Sequence, residues 1–355
     1  MELNELFNTK AIAAHYTSAT DNEVPFFGTA YFPNVKSGSI DLKWYRGHKG
    51  LPVALMPSTL DAKAKFRDRV GVKMHETEMP FFREGYIIKE KDQQDIDRIA
   101  SSDDPYAQDI LNSIFNDVKD LVDGAKVSAE RMRMQLLAPI GGSMGIEIQA
   151  NNVNYTYNYD PDGSWKAEHY AALEDAADKW TASETCDPIG DINRCRKAQY
   201  KATGEYPAVL LMTDNTFQLI FNAAKVRSGF LAQNRTAIIE YTEEDVKAYV
   251  EKRTKMRIVM YDKSFIDESG VVKTFYPDNI VAFLPSNSVG ETRFATTPEE
   301  RTGTKVEDAD VSIVETGVAV MTFTEKHPLV TETIVSMLAL PSFPGMDRMY
   351  ALEVA

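Results

Sequence analysis

Lys63, Lys65, Arg67 and Arg69 stand at alternate positions, so in an extended segment their cationic heads share one face. The chemistry open to such a row is ion pairing with carboxylates on a facing surface. A single exposed pair contributes only ~0.2–1 kcal/mol, so register and repetition decide more than strength. The row lies within residues 41–75, where eight basic residues (Lys43, Arg46, Lys49, these four and Lys73) face three acidic ones (Asp41, Asp61, Asp68). The stretch carries +5 in a chain of net charge −14, which leaves −19 on the other 320 residues. A basic segment on an acidic body suits a subunit that lays the segment on an identical neighbour. Opposite-charge patches steer and register an encounter that like-charged bodies would resist. The plainer alternative is a solvated basic loop.

Other residue patterns that could carry chemistry read as structure. The run PIGGSMG at 139–145 lacks the Gly-Lys-Ser/Thr ending of a phosphate loop and follows a helix instead of opening one, so it reads as a helix stop. Asp160, Asp162 and Ser164 resemble the start of a calcium loop, but no terminal Glu follows, and a turn is the better reading. Cys186 and Cys195 fit no zinc spacing and are expected as reduced thiols. His15, His48, His75, His169 and His327 are scattered, and no spacing singles out a carboxylate pair among the 53 acidic residues. Trp165 and Trp180 are expected as core anchors. No catalytic, metal or cofactor site is assigned.

Composition sets the frame. With 355 residues, 43% hydrophobic and 26% charged, the chain has ample material for a core. No apolar run reaches 18 residues, so no membrane span is expected. The opening MELNELFNTKAIAAHY does not read as a secretory signal. A pI near 4.9 argues against a general nucleic-acid binder, whereas a shell that encloses DNA needs no basic face.

The elements that would position the basic row follow from periodicity. Residues 1–40 read as an extended arm that packs on something else. Residues 50–57 and 70–82 read as the two strands of a projecting hairpin, which alone is marginal in water and so calls for a neighbouring surface. The strongest helix is expected over about 105–137, capped by Asp103 or Asp104 with Pro105 at its first position, and some 50 Å long. Residues 144–159 alternate as strand or hairpin, and 165–182 read as an amphipathic helix. Strands are expected at 207–212 and 257–261, and 270–284 should give two strands joined at Pro277-Asp278-Asn279. Helix starts are expected at Thr213 or Asp214 and at Thr242 with Asp245. Late strands come from VSIVETGVAVMTF, TIVSMLAL and MYALEV. Helices and strands mix without βαβ alternation, so the class is α+β.

Several segments match one family in order: GLPVALMP followed by FFREGYIIKEKDQQ, Trp180 followed by Asp187-Pro188 and Asp191-Ile192, GVVKTFYPDNIVAFLP, and the ending LALPSFPGMDRMYALEVA. Over about residues 40–355 the chain resembles the major capsid protein of lambda-like tailed phages, the phage capsid protein E family with the HK97-like fold. The resemblance implies an N-terminal arm (1–40), a projecting E-loop hairpin (41–82), a P-domain (83–184 and 326–355) with the spine helix, and an A-domain (185–325). Lys63, Lys65, Arg67, Arg69 and Lys73 would then be E-loop contacts with an adjacent subunit. The resemblance implies hexamers and pentamers in an icosahedral head enclosing double-stranded DNA, with a separate scaffold protein, a portal and a decoration protein as partners. It implies assembly in the host cytoplasm, a place in the virion, and no catalysis. A Lys–Asn cross-link occurs in some relatives, but is not expected here. A nanocompartment shell of the same fold is the nearest alternative. An acidic cytoplasmic hydrolase with an unlocated site is the alternative of another class, and it should run as a small oligomer, not as capsomers or particles.

Overall fold

The computed structural model describes residues 26–46, 73–90, 94, 106–150, 153–233, 241–302, 309–314, 316–326 and 329–355. The chain opens with α1 (Gly28–Tyr31), β1 (Asn34–Lys36), β2 (Asp41–Arg46), β3 (Lys73–Glu78) and β4 (Phe81–Ile88). The long helix α2 (Tyr106–Leu137), β5 (Gly145–Ala150), β6 (Val153–Asn158), α3 (Ser164–His169) and β7 (Tyr170–Ala172) follow. Next come α4 (Pro188–Thr203), β8 (Val209–Met212), α5 (Asp214–Asn222), α6 (Ala224–Gln233), α7 (Glu243–Thr254) and β9 (Arg257–Met260). Then run β10 (Ser264–Ile266), β11 (Val272–Thr274), β12 (Ile280–Leu284), β13 (Glu291–Phe294) and α8 (Pro298–Thr302). The last strands are β14 (Ala309–Val314), β15 (Val318–Lys326), β16 (Leu329–Ser342) and β17 (Tyr350–Glu353).

Two compact units share this chain. The first comprises residues 1–43, 76–132 and 291–342; the second comprises 44–75, 133–290 and 343–355. The expected boundaries at 184/185 and 325/326 do not coincide with these units. Residues 291–325 group with the first unit because β13 and β15 both pair antiparallel with β16. Residues 343–355 leave β16 for the second unit because β17 hydrogen-bonds to β12.

In the first unit the sheet order is β1-β13-β16-β15-β14, with β4 also paired to β16. The spine helix buries Val118, Val122, Ala125, Ala129 and Met132, a three-to-four spacing that keeps one face apolar. The fully buried Glu130 on that helix accepts the Gly28 N–H at 2.8 Å. Phe32 is fully buried, and β1 runs parallel to β13. Residues 26–36 of the expected arm therefore pack on their own chain. Gly317, in the turn between β14 and β15, has φ of +88°, and a Cβ there would lie 2.5 Å from the Phe294 Cβ.

In the second unit the sheet order is β7-β17-β12-β8-β9. Every residue of β8 and β12 is buried, as expected for central strands covered on both faces. Helix α5 is capped by the Thr213 side chain, which accepts the Thr216 N–H, and α7 by Thr242, which accepts the Asp245 N–H. Gly204 at φ +76° ends α4, whose first turn is capped by Asp187. Trp165 and Trp180 are buried anchors; Trp180 Nε1 donates to Asp191 at 3.1 Å.

Three local expectations are corrected. The helix expected over 165–182 stops at His169, because Tyr170–Ala172 pairs parallel with Ala351–Glu353 and the sheet edge outcompetes the helical period. The two strands of 270–284 do not pair with each other: β11 pairs with β10, and β12 pairs with β8 and β17. Residues 70–82 do not form one strand. Met79 N–H still bonds the Ile40 carbonyl, but Pro80 has no N–H to continue, and β4 turns to β16. The partner of β3 is β2. The expected strand at 50–57 and the caps at Asp103, Asp104 and Pro105 lie outside the described residues.

Candidate inter-subunit surface at the hairpin root

Strands β2 and β3 pair with each other and bracket residues 47–72, which hold the basic row and lie outside the described residues. Strand β2 alternates: Leu42, Trp44 and Arg46 are buried, while Asp41, Lys43 and Tyr45 face out. On the outer side Lys43 Nζ pairs with Glu76 at 2.7 Å, and Tyr45 and Met74 are exposed. On the inner side Trp44 stacks on His75 (centroids 4.3 Å apart, planes at 8°) and on Tyr159 at 5.5 Å. Burial pushes the Tyr159 phenol far above its usual range, so it stays neutral.

Arg46 closes the root. Its Nη2 donates to Asp347 Oδ1 at 2.5 Å and its Nε to the same oxygen at 3.0 Å. Nη1 donates to Ser164 Oγ at 2.9 Å and reaches Asp160 Oδ1 at 3.4 Å. The three charged side chains are all more than nine-tenths buried. Burial opposes the guanidinium charge, but the hydrogen bond to Asp347 and the Asp347 and Asp160 carboxylates hold its pKa above the usual value. Asp160 also accepts the backbone N–H groups of Trp165 and Lys166, each at 3.0 Å, so the same carboxylate caps α3. Trp165 Nε1 donates to the Met346 carbonyl, beside Asp347. These bonds tie β2, the 160–166 turn and the segment before β17 into one anchor.

Arg46, one of the eight basic residues counted in 41–75, is buried. The signal was present in the alternation, since Arg46 sits in phase with Leu42 and Trp44. Lys63, Lys65, Arg67 and Arg69 lie outside the described residues, and Lys73 opens β3. Asp160 and Ser164 of the rejected calcium pattern serve the anchor and the helix cap. Cys186 and Cys195 are free and buried, and burial pushes the Cys195 thiol up to about 12. Among the described residues no group of three or more His, Cys, Asp or Glu could hold a metal ion. No described helix is long and apolar enough to cross a membrane.

A second exposed feature is the isolated pair β10–β11, which presents Ile266, Val271 and Val272 to solvent. Asp267 spans its turn: it accepts the N–H groups of Ser269 and Val271, each at 2.9 Å, and pairs with Lys273 at 2.6 Å. The Lys273 and Ser269 contacts hold the Asp267 carboxyl well below the usual carboxylate range.

Comparison with known proteins gives this architecture a place. The structure matches one described as a prophage capsid protein of Escherichia coli CFT073, with TM-score 0.60 at 13% identity over 98% of this chain and 99% of that one. It matches a phage-related protein of Bordetella bronchiseptica RB50 with TM-score 0.57 at 14% identity, over 98% and 97% of the two chains. The capsid subunit of cyanophage A-1(L) matches with TM-score 0.50 at 13% identity, over 94% and 92%. The fold is therefore that of HK97-like capsid proteins. No curated protein matches the chain. The sequence model of one family, described as phage major capsid protein E, spans residues 14–352, and the chain belongs to that family.

Proposed function

We propose that copies of this chain lap over one another through the hairpin carried on β2 and β3, and so build the phage head shell that family membership assigns to it. The observation that carries this reading is the anchored root. A buried Arg46–Asp347–Asp160 cluster and the Trp44–His75 stack hold the β2–β3 pair, whose outer side stays exposed at Tyr45 and Met74. Such rigidity suits a segment that must meet a neighbour in a fixed register.

Lys63, Lys65, Arg67, Arg69 and Lys73 are the cations offered to an acidic surface of that neighbour. The first unit, with its spine helix, takes the P-domain role, and the second, with its five-stranded sheet, takes the A-domain role. Shell copies group as hexamers and pentamers around double-stranded DNA, assisted by a scaffold protein, a portal and a decoration protein, in the host cytoplasm. The subunit performs no catalysis.

The test is assembly. Purified chain, examined by size exclusion and negative-stain microscopy, should form capsomers or closed particles. Reversing four charges (Lys63→Glu, Lys65→Glu, Arg67→Glu, Arg69→Glu) should cut particle yield at least tenfold while leaving the circular dichroism spectrum unchanged. Unchanged yield removes the assigned role of these cations; a compact monomer at all concentrations removes the shell reading itself.

A further inference from the structure

Positive charge in the second unit gathers where β8 and β9 begin. These strands are parallel and start side by side, Val209 opposite Arg257, with the Arg257 N–H on the Ala208 carbonyl at 2.9 Å. Helices α4 and α7 pack on each other and lead directly into β8 and β9, so both helix C-termini lie at this end of the sheet. Strand β12 finishes there too, since Leu284 pairs with Val209. Residues 196–206 and 250–257, which build this end, hold seven basic residues and two acidic ones. The balance of +5 leaves −19 on the rest of the chain.

Both carboxylates are occupied. Glu205 accepts from Arg348 Nε at 3.1 Å and from Nη2 at 2.9 Å, and Glu251 accepts the Ile258 N–H at 2.8 Å. Lys197, Lys201, Lys252, Lys255 and Arg257 are exposed, and among the described residues none of the five has an ion pair. Cations in a last helical turn offset the helix dipole, which accounts for Lys201 and Lys252. It does not account for Lys197, farther back on α4, or for Arg257 on a strand. Lys255 stands at φ +59°, where Gly is the usual residue, so a cation is kept at a position that disfavours any side chain. Beside them Tyr206 packs against the Arg196 guanidinium at 4.2 Å and the Tyr200 ring at 4.1 Å, with Tyr200 41% and Tyr206 46% exposed.

We propose that this end of the second unit binds the phosphate backbone of duplex DNA, through the five unpaired cations, without reading base sequence. The inference rests on the shell reading, which supplies the duplex. The acidic net charge does not oppose it: local potential decides where a polyanion touches, and −19 elsewhere confines it to this face. Composition favours nucleic acid over an acidic protein surface. Four of the five cations are Lys, which protein–protein interfaces deplete. The only large apolar residues of the two segments besides the tyrosines, Val250 and Met256, are buried, so the face lacks the apolar centre of a protein interface. Surfaces that meet DNA are polar and strongly positive, and their Lys, Arg and Tyr side chains donate to phosphate oxygens.

Fluorescence anisotropy of a labelled duplex of about 20 base pairs, titrated with the dissociated chain at several salt concentrations, tests this. Five phosphate contacts give a slope of about −4.5 in log affinity against log salt, so affinity should fall roughly 500-fold between about 50 and 200 mM salt. A variant with Lys197→Gln, Lys201→Gln, Lys252→Gln, Lys255→Gln and Arg257→Gln should bind at least a hundredfold more weakly at the lower salt and form particles at the parent's yield. The milder Lys197→Gln/Lys201→Gln variant should make the slope shallower by about 1.8. Neutralising the hairpin row (Lys63→Gln, Lys65→Gln, Arg67→Gln, Arg69→Gln) should change affinity less than threefold. Unchanged affinity in the first two variants, or an equal loss in the hairpin variant, overturns the inference and leaves the shell reading intact. Poly-glutamate that binds as tightly as the duplex assigns the face to carboxylates and overturns it. Particle loss in the five-Gln variant, with its circular dichroism unchanged, assigns the face to a neighbouring copy and also overturns it. A parent chain that never forms particles removes the shell reading, and this inference with it.

Discussion

Replacing Arg46 with Met tests the anchor most directly. The substitution keeps an unbranched apolar stem but removes a guanidinium that donates to Asp347, Ser164 and Asp160. Asp160 retains the Trp165 and Lys166 N–H groups, so part of its charge stays hydrogen-bonded. Asp347, 4% exposed, loses its two-pronged partner. Removing one member of a buried pair costs about 3–5 kcal/mol, because the remaining charge is stranded. All three tryptophans (Trp44, Trp165, Trp180) belong to the second unit, so fluorescence-detected urea unfolding of the dissociated chain reads that unit alone. With a slope of about 3 kcal/mol per molar urea, the midpoint should fall by roughly 1–1.7 M. The partner variant Arg46→Met/Asp347→Leu removes both charges, and should recover more than about 1 kcal/mol of the loss, since an apolar replacement of a whole buried pair is often neutral. A single variant within about 0.5 kcal/mol of the parent, or a double variant whose loss is the sum of the two singles, refutes the claim that the root is held by this ion cluster.

Three further outcomes follow from the same coordinates. Thr213→Ala removes the cap of α5 and a hydroxyl that donates to Asp278 at 2.5 Å, so the second unit should lose about 1–2 kcal/mol in the same unfolding assay. Gly317→Ala puts a Cβ against Phe294 at positive φ, and should destabilise the first unit by more than about 1 kcal/mol, seen as faster amide exchange in β13–β16 with the tryptophan transition unmoved. Burial raises the pKa of Cys195, and so favours its neutral thiol; the associated stability is complete below the ordinary thiol range and is lost as pH rises through about 12. Both buried cysteines should therefore resist a water-soluble thiol reagent at pH 8 in the folded chain and react together on denaturation; rapid labelling of the native protein would contradict this burial.

Local features of this chain were legible because local chemistry sets them. A helical apolar period fixed the spine, expected over about 105–137 and described from Tyr106 to Leu137. Hydroxyl caps at Thr213 and Thr242 and the alternation of 144–159 gave the helix starts and the β5–β6 hairpin, because each depends on neighbours within a few residues. Order of motifs along the chain was enough to reach the capsid family.

What the linear pattern left open is which distant segments meet. Strand β12 looked ready to pair with β11, yet it bonds β8 and β17; Tyr170–Ala172 looked helical, yet a sheet edge claimed it. The Arg46–Asp347 contact joins residues 301 positions apart, and no local periodicity encodes such a distance. The two units are each assembled from three separate stretches of chain for the same reason. Propensity and period act over a turn or a strand, whereas burying a charge or closing a sheet is decided by the total free energy of contacts that exist only once the chain has folded.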